Sequence, residues 1–281
     1  MLHDIYLDAI RNREEKIAGI STNLNRIVIQ KAHELWIDYE PIPKESTLLG
    51  VDSSYNGHNF QGFHLYAIDA VCTKVNGDIV SKRYESKVRA IDRRQLEAKS
   101  MRMEAEVAME AGDNADLVLI DGSMMARFVL GSISAIKSVV DLTDQHSNIV
   151  FVSKTSDSIE IFKNVNSKVG DIYYFNRVGS KAGYSRPHRV TRYEEKYGKC
   201  VTIVFARLSD YTPILKLEFP NEVTETYVER VLDQMAFGGV SGYPYVLKVA
   251  HNTAVITDND IERLVSIYGL KNEIGAREVL R

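Results

Sequence analysis

The sequence predicts an α/β protein built on a mixed sheet, an antiparallel meander plus parallel strands, flanked by helices. Three observations carry that prediction. Leu48–Ser54 reads LLGVDSS, an apolar run of buried-strand character ending in a carboxylate, and Asp116–Ser123 repeats the arrangement as DLVLIDGS. Asn76-Gly77 separates two strand-like runs, the dipeptide that favours a two-residue hairpin turn. One long helical stretch then separates the hairpin from the second acid-tipped strand, which is enough chain for a crossover between parallel neighbours.

Composition bounds the reading. With 281 residues, 44% apolar and 26% charged, the chain suits one domain with helical additions. A formal net charge of −3 gives no global basic field, although an acidic metal site offsets basic patches elsewhere. Cys72 and Cys200 lack CxxC spacing, which suits a reducing interior. No basic-then-apolar leader opens the chain, and no apolar run approaches the roughly 20 residues of a membrane helix. A cytoplasmic protein with no membrane partner is expected.

Residues 1–46 read as a helical segment of two helices. Leu2, Ile5, Tyr6, Ala9 and Ile10 form one apolar face; Leu24, Ile27, Val28, Ala32, Leu35 and Trp36 form the other. This segment either caps the core or meets a partner, a second copy included. Pro41 and Pro43 end it. A strand over Thr47–Ser54, a turn at Asn56–Asn59, and strands over Phe63–Val75 and Asp78–Val88 make the meander. Asp92 caps a helix with Gln95 three residues on, and that helix runs to Ala111 with Gly112 as its stop. A strand over Ala115–Asp121, a helix over Met124–Leu142 and a strand over Asn148–Ser153 follow. Three strands, helix, strand, helix, strand is the order of a ribonuclease H-like fold.

That order places Asp52 and Asp121 at the carboxyl ends of adjacent parallel strands, where α/β sheets build their sites. A buried, unpaired carboxylate costs several kcal/mol, and a shared cation removes the penalty. The intervening helix carries Glu97, Glu104 and Glu106 beside an apolar stripe of Leu96, Met103, Val107 and Ala111. Glu104 borders that stripe two turns after Glu97, so both share a face, whereas Glu106 faces solvent. A third carboxylate there supplies what a divalent-metal site needs. Further on, strands over Cys200–Leu208 and Ile214–Phe219 precede helices over Glu222–Phe237, Pro244–Val255 and Thr257–Tyr268. Gly238-Gly239 and Gly242 allow the reversal that returns His251 to the strands.

The stretches VDSS, RMEAEVAMEAG, LVLIDGS, VFVSKTSDS and YPYVLKVAHNTAVIT, in this order over about residues 47–257, resemble the NurA nuclease family. The resemblance makes 47–281 a nuclease domain, with a basic insertion at about 170–199 and C-terminal helices. It implies a manganese-dependent 5′-to-3′ exonuclease on single- and double-stranded DNA, with single-strand endonuclease activity. It further implies a homodimer working with a HerA-type hexameric translocase in archaeal DNA end resection and double-strand break repair. Asp52 matches the first-strand metal ligand, Asp121 the second aspartate, His251 the C-terminal histidine and Lys154 the lysine after the fifth strand. Glu104 matches the helix glutamate, with Glu97 and Glu106 left open. Two departures stand out. Ser53 occupies a position where many members carry glycine, a change of little weight in an extended backbone, and the chain is short.

The residue types suit phosphodiester hydrolysis. Two ions about 3.5–4 Å apart activate water and stabilise the leaving oxyanion. Oxygen ligands suit Mg2+ or Mn2+, and one imidazole tilts the choice to Mn2+. Lys154 supplies a point charge for the scissile phosphate. Between Arg177 and Lys199 stand seven Lys or Arg residues, with Tyr184, Tyr193 and Tyr197 interleaved. Arg177, Lys181, Tyr184, Arg186, Arg189 and Arg192 therefore outline either a single-strand groove or an ordinary solvated surface. Two other functions remain open: a catalytically silent DNA-binding subunit of a translocase, and another two-metal nuclease, a resolvase or an RNA-cleaving enzyme.

Overall fold

The computed structural model describes residues 2–21, 24–165 and 169–275. The N-terminal segment holds three helices, not two: α1 (Leu2–Arg11), α2 (Arg13–Ser21) and α3 (Leu24–Leu35). On α1 the predicted apolar face is exposed at Leu2, Ile5, Tyr6 and Ile10. On α3, Val28 and Ala32 are buried and Ile27 is exposed; the side chain of Leu24 lies outside the described residues. Trp36 leaves the helix for a short strand, β1 (Trp36–Asp38), because an aromatic beside a β-branched residue fits a pleated edge.

The meander follows as β2 (Leu48–Asn59), β3 (His64–Lys74) and β4 (Ile79–Arg89). Asn56–Asn59 is strand, not the predicted turn: these residues pair with Ala67 back to His64, and the reversal falls between Phe60 and Phe63. Backbone pairing overrides side-chain polarity there. The Asn76-Gly77 turn forms as predicted, with Gly77 at φ +91°. The helix α4 (Arg93–Ala111) begins with the predicted capping box between Asp92 and Gln95.

Next come β5 (Leu117–Asp121), α5 (Met124–Leu130), α6 (Ile133–Gln145) and β6 (Ile149–Ser153). The single helix expected over Met124–Leu142 is broken at Gly131, and Ser132 caps the new start by accepting from the Ala135 amide. The remaining elements are α7 (Asp171–Phe175), β7 (Gly183–Ser185), β8 (His188–Val190), α8 (Glu194–Tyr197), β9 (Val201–Arg207) and β10 (Leu215–Phe219). Then come α9 (Glu225–Phe237), the small hairpin β11 (Gly239–Val240) and β12 (Tyr243–Pro244), α10 (Tyr245–Ala254) and α11 (Asp258–Ile267). The last helix opens with the predicted Thr257–Asp260 box.

One sheet runs β1-β7-β9-β10-β6-β5-β2-β3-β4, with β8 also on β9. Its β2, β5 and β6 are parallel and the rest antiparallel. The half from β6 to β4 has the predicted ribonuclease H-like order. Side-chain alternation splits the core into two layers. Leu49, Val51, Val118 and Ile120 pack towards α3, α4 and α6. Leu48, Leu117, Leu119 and Val152 pack towards α9 and α10. The same parity assigns Asp52, Asp121 and Lys154 to the α10 side of the strand ends. Among the described residues no helix is long and apolar enough to cross a membrane.

Candidate metal centre

The site depends on how closely α10 lies on β2. A Cβ at Gly50 would stand 2.4 Å from the carbonyl oxygen of Val246, so only glycine permits this approach. Two residues along the strand is Asp52, and a little over one turn along the helix is His251. Their side chains therefore meet: His251 Nδ1 lies 2.8 Å from Asp52 Oδ2. Asp52 Oδ1 accepts from the Ser53 amide at 2.8 Å. Asp121, at the end of β5, receives the Lys154 ammonium on Oδ2 at 2.9 Å.

One ligand atom each from Asp52, Asp121 and His251 lies within 4.8 Å of the others. Burial pushes the Asp52 carboxyl up to about 6, the negative charges of Glu104 and Asp121 push it the same way, and the His251 hydrogen bond only partly offsets them. Burial lowers the Lys154 ammonium, but Asp121 more than offsets this and holds it above its ordinary value. Tyr243, whose ring lies 5.0 Å from Lys154 Nζ, is pushed up to about 12 by burial and then by the charge of Asp121. Excess negative charge around a buried carboxylate, with two oxygen donors and one nitrogen converging, fits a divalent cation.

Glu104 is the buried glutamate of α4 and reaches the strand ends from the opposite side of the sheet. Its Oε1 accepts from Ser53 Oγ at 2.5 Å and its Oε2 from Arg127 Nη2. It stands outside the compact three-residue set. Glu97 is engaged by Tyr55 and Arg93, and Glu106 pairs with Arg83 and Arg102 near solvent. Burial beside Asp52 thus separates Glu104 from the two alternatives.

The family model of the NurA domain matches residues 46–256. The chain belongs to the NurA domain family. It is 21% identical to the DNA double-strand break repair nuclease NurA of Sulfurisphaera tokodaii, covering 97% of both chains. That alignment spans 329 positions, more than the 281 residues present, so the relative carries insertions that this chain lacks. The crystal structure of the NurA nuclease from Sulfolobus solfataricus superposes with a TM-score of 0.80 at 19% identity, over 96% of this chain and 97% of that one. A crystal structure of NurA bound to dAMP and manganese superposes with a TM-score of 0.67 at 11% identity, over 96% of both chains.

Sequence reasoning missed several residues around this candidate centre. Arg127 is buried and donates to Glu104 and to the carbonyl oxygens of Asp121 and Ser123. Its signal was a lone cation inside the apolar helix MMARFVL. Ser53 is in extended backbone as expected, yet its hydroxyl holds Glu104, so the glycine departure carries more weight than its backbone suggests. Lys216 and Glu218 form a fully buried pair at 2.6 Å on β10. Glu218 also accepts from Ser123 Oγ and the Met125 amide, fixing the loop that follows Asp121. Beside that loop opens a cavity of about 610 Å³ lined by Asp121, Lys154, Arg192 and Lys216.

The basic segment of this NurA chain is largely tied into the fold. Tyr184 is fully buried and donates to Glu229, so its ring is not free to stack a base; this corrects the DNA contact expected of Tyr184 from the sequence. Tyr193 is buried against Phe128. Arg192 forks Glu160 through two bonds of 2.8 and 2.6 Å, and Arg189 pairs with Glu194 and Glu222. Arg186 stands 3.8 Å from Glu225, and Arg177 lies over the Tyr173 ring. Arg177, Lys181, Arg186, Arg189 and Arg192 are all exposed, the last two while engaged in their ion pairs.

Proposed function

We propose that this chain is a divalent-metal-dependent deoxyribonuclease that hydrolyses DNA phosphodiesters at the Asp52–Asp121–His251 centre. One observation carries the reading: two carboxylates and an imidazole on three separate elements converge within 4.8 Å. A structural site gains nothing from crowding acids around the buried Asp52, whereas a hydrolytic metal site requires it. Asp52, Asp121 and His251 would hold the cation, with Glu104 beside them. When bound, the ion supplies activated water and charge stabilisation for the leaving oxyanion.

The chain's own groups then divide the work. Lys154 sits at the rim of the centre and is half exposed, so its ammonium can move from Asp121 to a phosphate oxygen when substrate arrives. Arg127 and Ser53 hold Glu104, and Glu218 holds the Ser123–Met125 loop, so neither acidic element drifts as charge develops. Exposed Arg177, Lys181 and Arg186 offer phosphate contacts that carry no base information.

Mn2+ is the assigned ion, with Mg2+ the alternative, because an imidazole joins the oxygen donors. Relatives named as DNA double-strand break repair nucleases support a role in end processing. The family resemblance supports 5′-to-3′ polarity on single- and double-stranded DNA, single-strand endonuclease action, a homodimer and a HerA-type translocase partner. Free Cys72 and Cys200 are consistent with the cytoplasm. The test is digestion of end-labelled single- and double-stranded DNA with Mn2+, Mg2+ or EDTA, wild type beside Asp52→Ala. Metal-dependent shortening that Asp52→Ala abolishes supports the reading. No cleavage under any metal overturns it in favour of a silent translocase subunit, and cleavage of RNA or junctions in preference to DNA ends redirects it.

A further inference from the structure

Among the described residues two that are not glycine have positive φ, Tyr211 at +63° and Ser241 at +52°. They stand in two turns that touch. Tyr211 is the third residue of the turn Ser209–Thr212, closed by the Thr212 amide on the Ser209 carbonyl at 3.3 Å. Ser241 is at the tip of the β11–β12 hairpin, and a Cβ on its neighbour Gly242 would stand 2.3 Å from Thr212 Oγ1. Glycine or asparagine is the ordinary occupant of such a turn position, and a bulky side chain there is costly. The Tyr211 side chain is 85% exposed, so packing does not offset that cost. Backbone strain of this kind collects at active sites and ligand clamps.

The turn is nevertheless held firmly. The Tyr211 amide donates to the Ser180 carbonyl at 2.7 Å. Buried Arg207 donates to the Thr212 carbonyl at 2.8 Å and to those of Gly179 and Lys181 at 2.6 and 3.1 Å. Asp210, the carboxylate beside the ring, accepts from the Ala182 amide at 2.8 Å. The turn and the basic segment are therefore fastened together, with Tyr211 and Lys181 both exposed on them.

Sheet register puts this unit beside the metal centre. Ser153, just before Lys154, pairs with Lys216 at the start of β10. Leu215 pairs with Ala206 near the end of β9, and Arg207 pairs with Gly183 at the start of β7. Lys154, the 209–212 turn and Lys181 thus leave the sheet at one edge, the edge where β5 ends in Asp121. Tyr243, which adjoins Gly242, has its ring 5.0 Å from Lys154 Nζ, so the hairpin bridges the centre and the turn. With strands about 4.8 Å apart, the turn lies on the order of 10 Å from Lys154, about three nucleotides of stacked strand.

We infer that Tyr211 is a stacking platform for single-stranded DNA, a base lying on its ring while Lys181 meets an adjoining phosphate. The inference rests on the metal-nuclease reading and adds a substrate-positioning residue to it. Aromatic faces hold bases without regard to sequence, and a cation beside them holds the backbone. A ring presented by a turn already fixed loses little freedom on binding. The stacking face that buried Tyr184 cannot offer comes from a different element, next to the same basic segment.

The experiment measures binding of a short fluorescent single strand by anisotropy in EDTA, which prevents metal-dependent cleavage, beside the melting temperature and the same titration with blunt duplex. Tyr211→Gly removes the ring and suits the positive φ, so it should melt at the wild-type temperature or higher. It should bind the single strand roughly 5- to 150-fold more weakly, the range for loss of one base–aromatic stack. Tyr211→Asn, which also tolerates positive φ, should repeat that result and exclude added backbone freedom as its cause. Tyr211→Phe keeps the ring and should restore single-strand binding. Affinity for the duplex, whose bases stack on one another, should change little. Wild-type single-strand affinity in Tyr211→Gly overturns the inference and leaves the nuclease reading standing, as does an equal loss on duplex or a lowered melting temperature. Wild type that binds no single strand overturns it as well; the nuclease reading falls separately, on the absence of metal-dependent cleavage.

Discussion

His251 Nδ1 and Asp52 Oδ2 stand 2.8 Å apart although 199 residues separate them along the chain. The contact exists because α10 crosses β2 at Gly50 with no side chain between the two backbones. The convergence of His251 with Asp52 in the proposed cation site depends on that crossing.

Gly50→Ala tests it. The added methyl would stand 2.4 Å from the Val246 oxygen and 2.7 Å from its carbon, so α10 has to move away. Overpacking of this kind costs about 1–3 kcal/mol. The variant should unfold at lower temperature by calorimetry and bind Mn2+ more weakly, because His251 travels with the helix. Retention of wild-type metal affinity would contradict the dependence of the site on this contact.

Asp52 gives a pH signature. Its folded value is raised to about 6 from an ordinary 3.8, first by burial and then by its acidic neighbours. A raised carboxyl favours the folded state while protonated. That stability is complete below about pH 4 and is lost as pH rises through about 6. A shift of this size corresponds to about 3 kcal/mol. In EDTA, the melting temperature of wild type should therefore fall between pH 5 and pH 7 by more than that of Asp52→Asn. Adding Mn2+ at pH 7 should restore wild type and leave Asp52→Asn unchanged.

Lys154 is half exposed and paired with Asp121, so its removal leaves the fold intact. Lys154→Met should lower kcat by roughly 10²–10³-fold, the usual cost of one donor aimed at developing charge. Mn2+ binding by the variant should be equal to wild type or tighter, since a competing cation has gone. A change in metal affinity without a change in kcat would reverse the assignment.

Arg192 and Lys181 should behave oppositely. Arg192→Ala leaves Glu160 buried without its fork and should cost on the order of 1–3 kcal/mol of stability by urea unfolding. Its effect on the salt dependence of single-strand DNA binding should be small. Lys181→Ala should leave stability unchanged and reduce the magnitude of the salt slope by about one. An unchanged slope in Lys181→Ala would remove this segment from the DNA path.

The sequence alone determined the five strands from β4 to β6 and their order, the capping boxes at Asp92 and Thr257 and the Asn76-Gly77 turn, because periodicity and turn chemistry are local signals; it missed the second half of β2 and the short strands β1, β7, β8, β11 and β12. It also placed Asp52 and Asp121 together, since an acid ending a buried strand is a local anomaly. Tertiary structure decided the rest. Which α4 glutamate turns inward depends on Ser53 and Arg127, 51 and 23 residues from Glu104. Tyr184 and Arg192, read from composition as part of either a groove or a solvated surface, are engaged by Glu229 and Glu160 from other elements. A charge or a ring reports its chemistry in the sequence. Only packing determines whether a partner within the fold has already taken it.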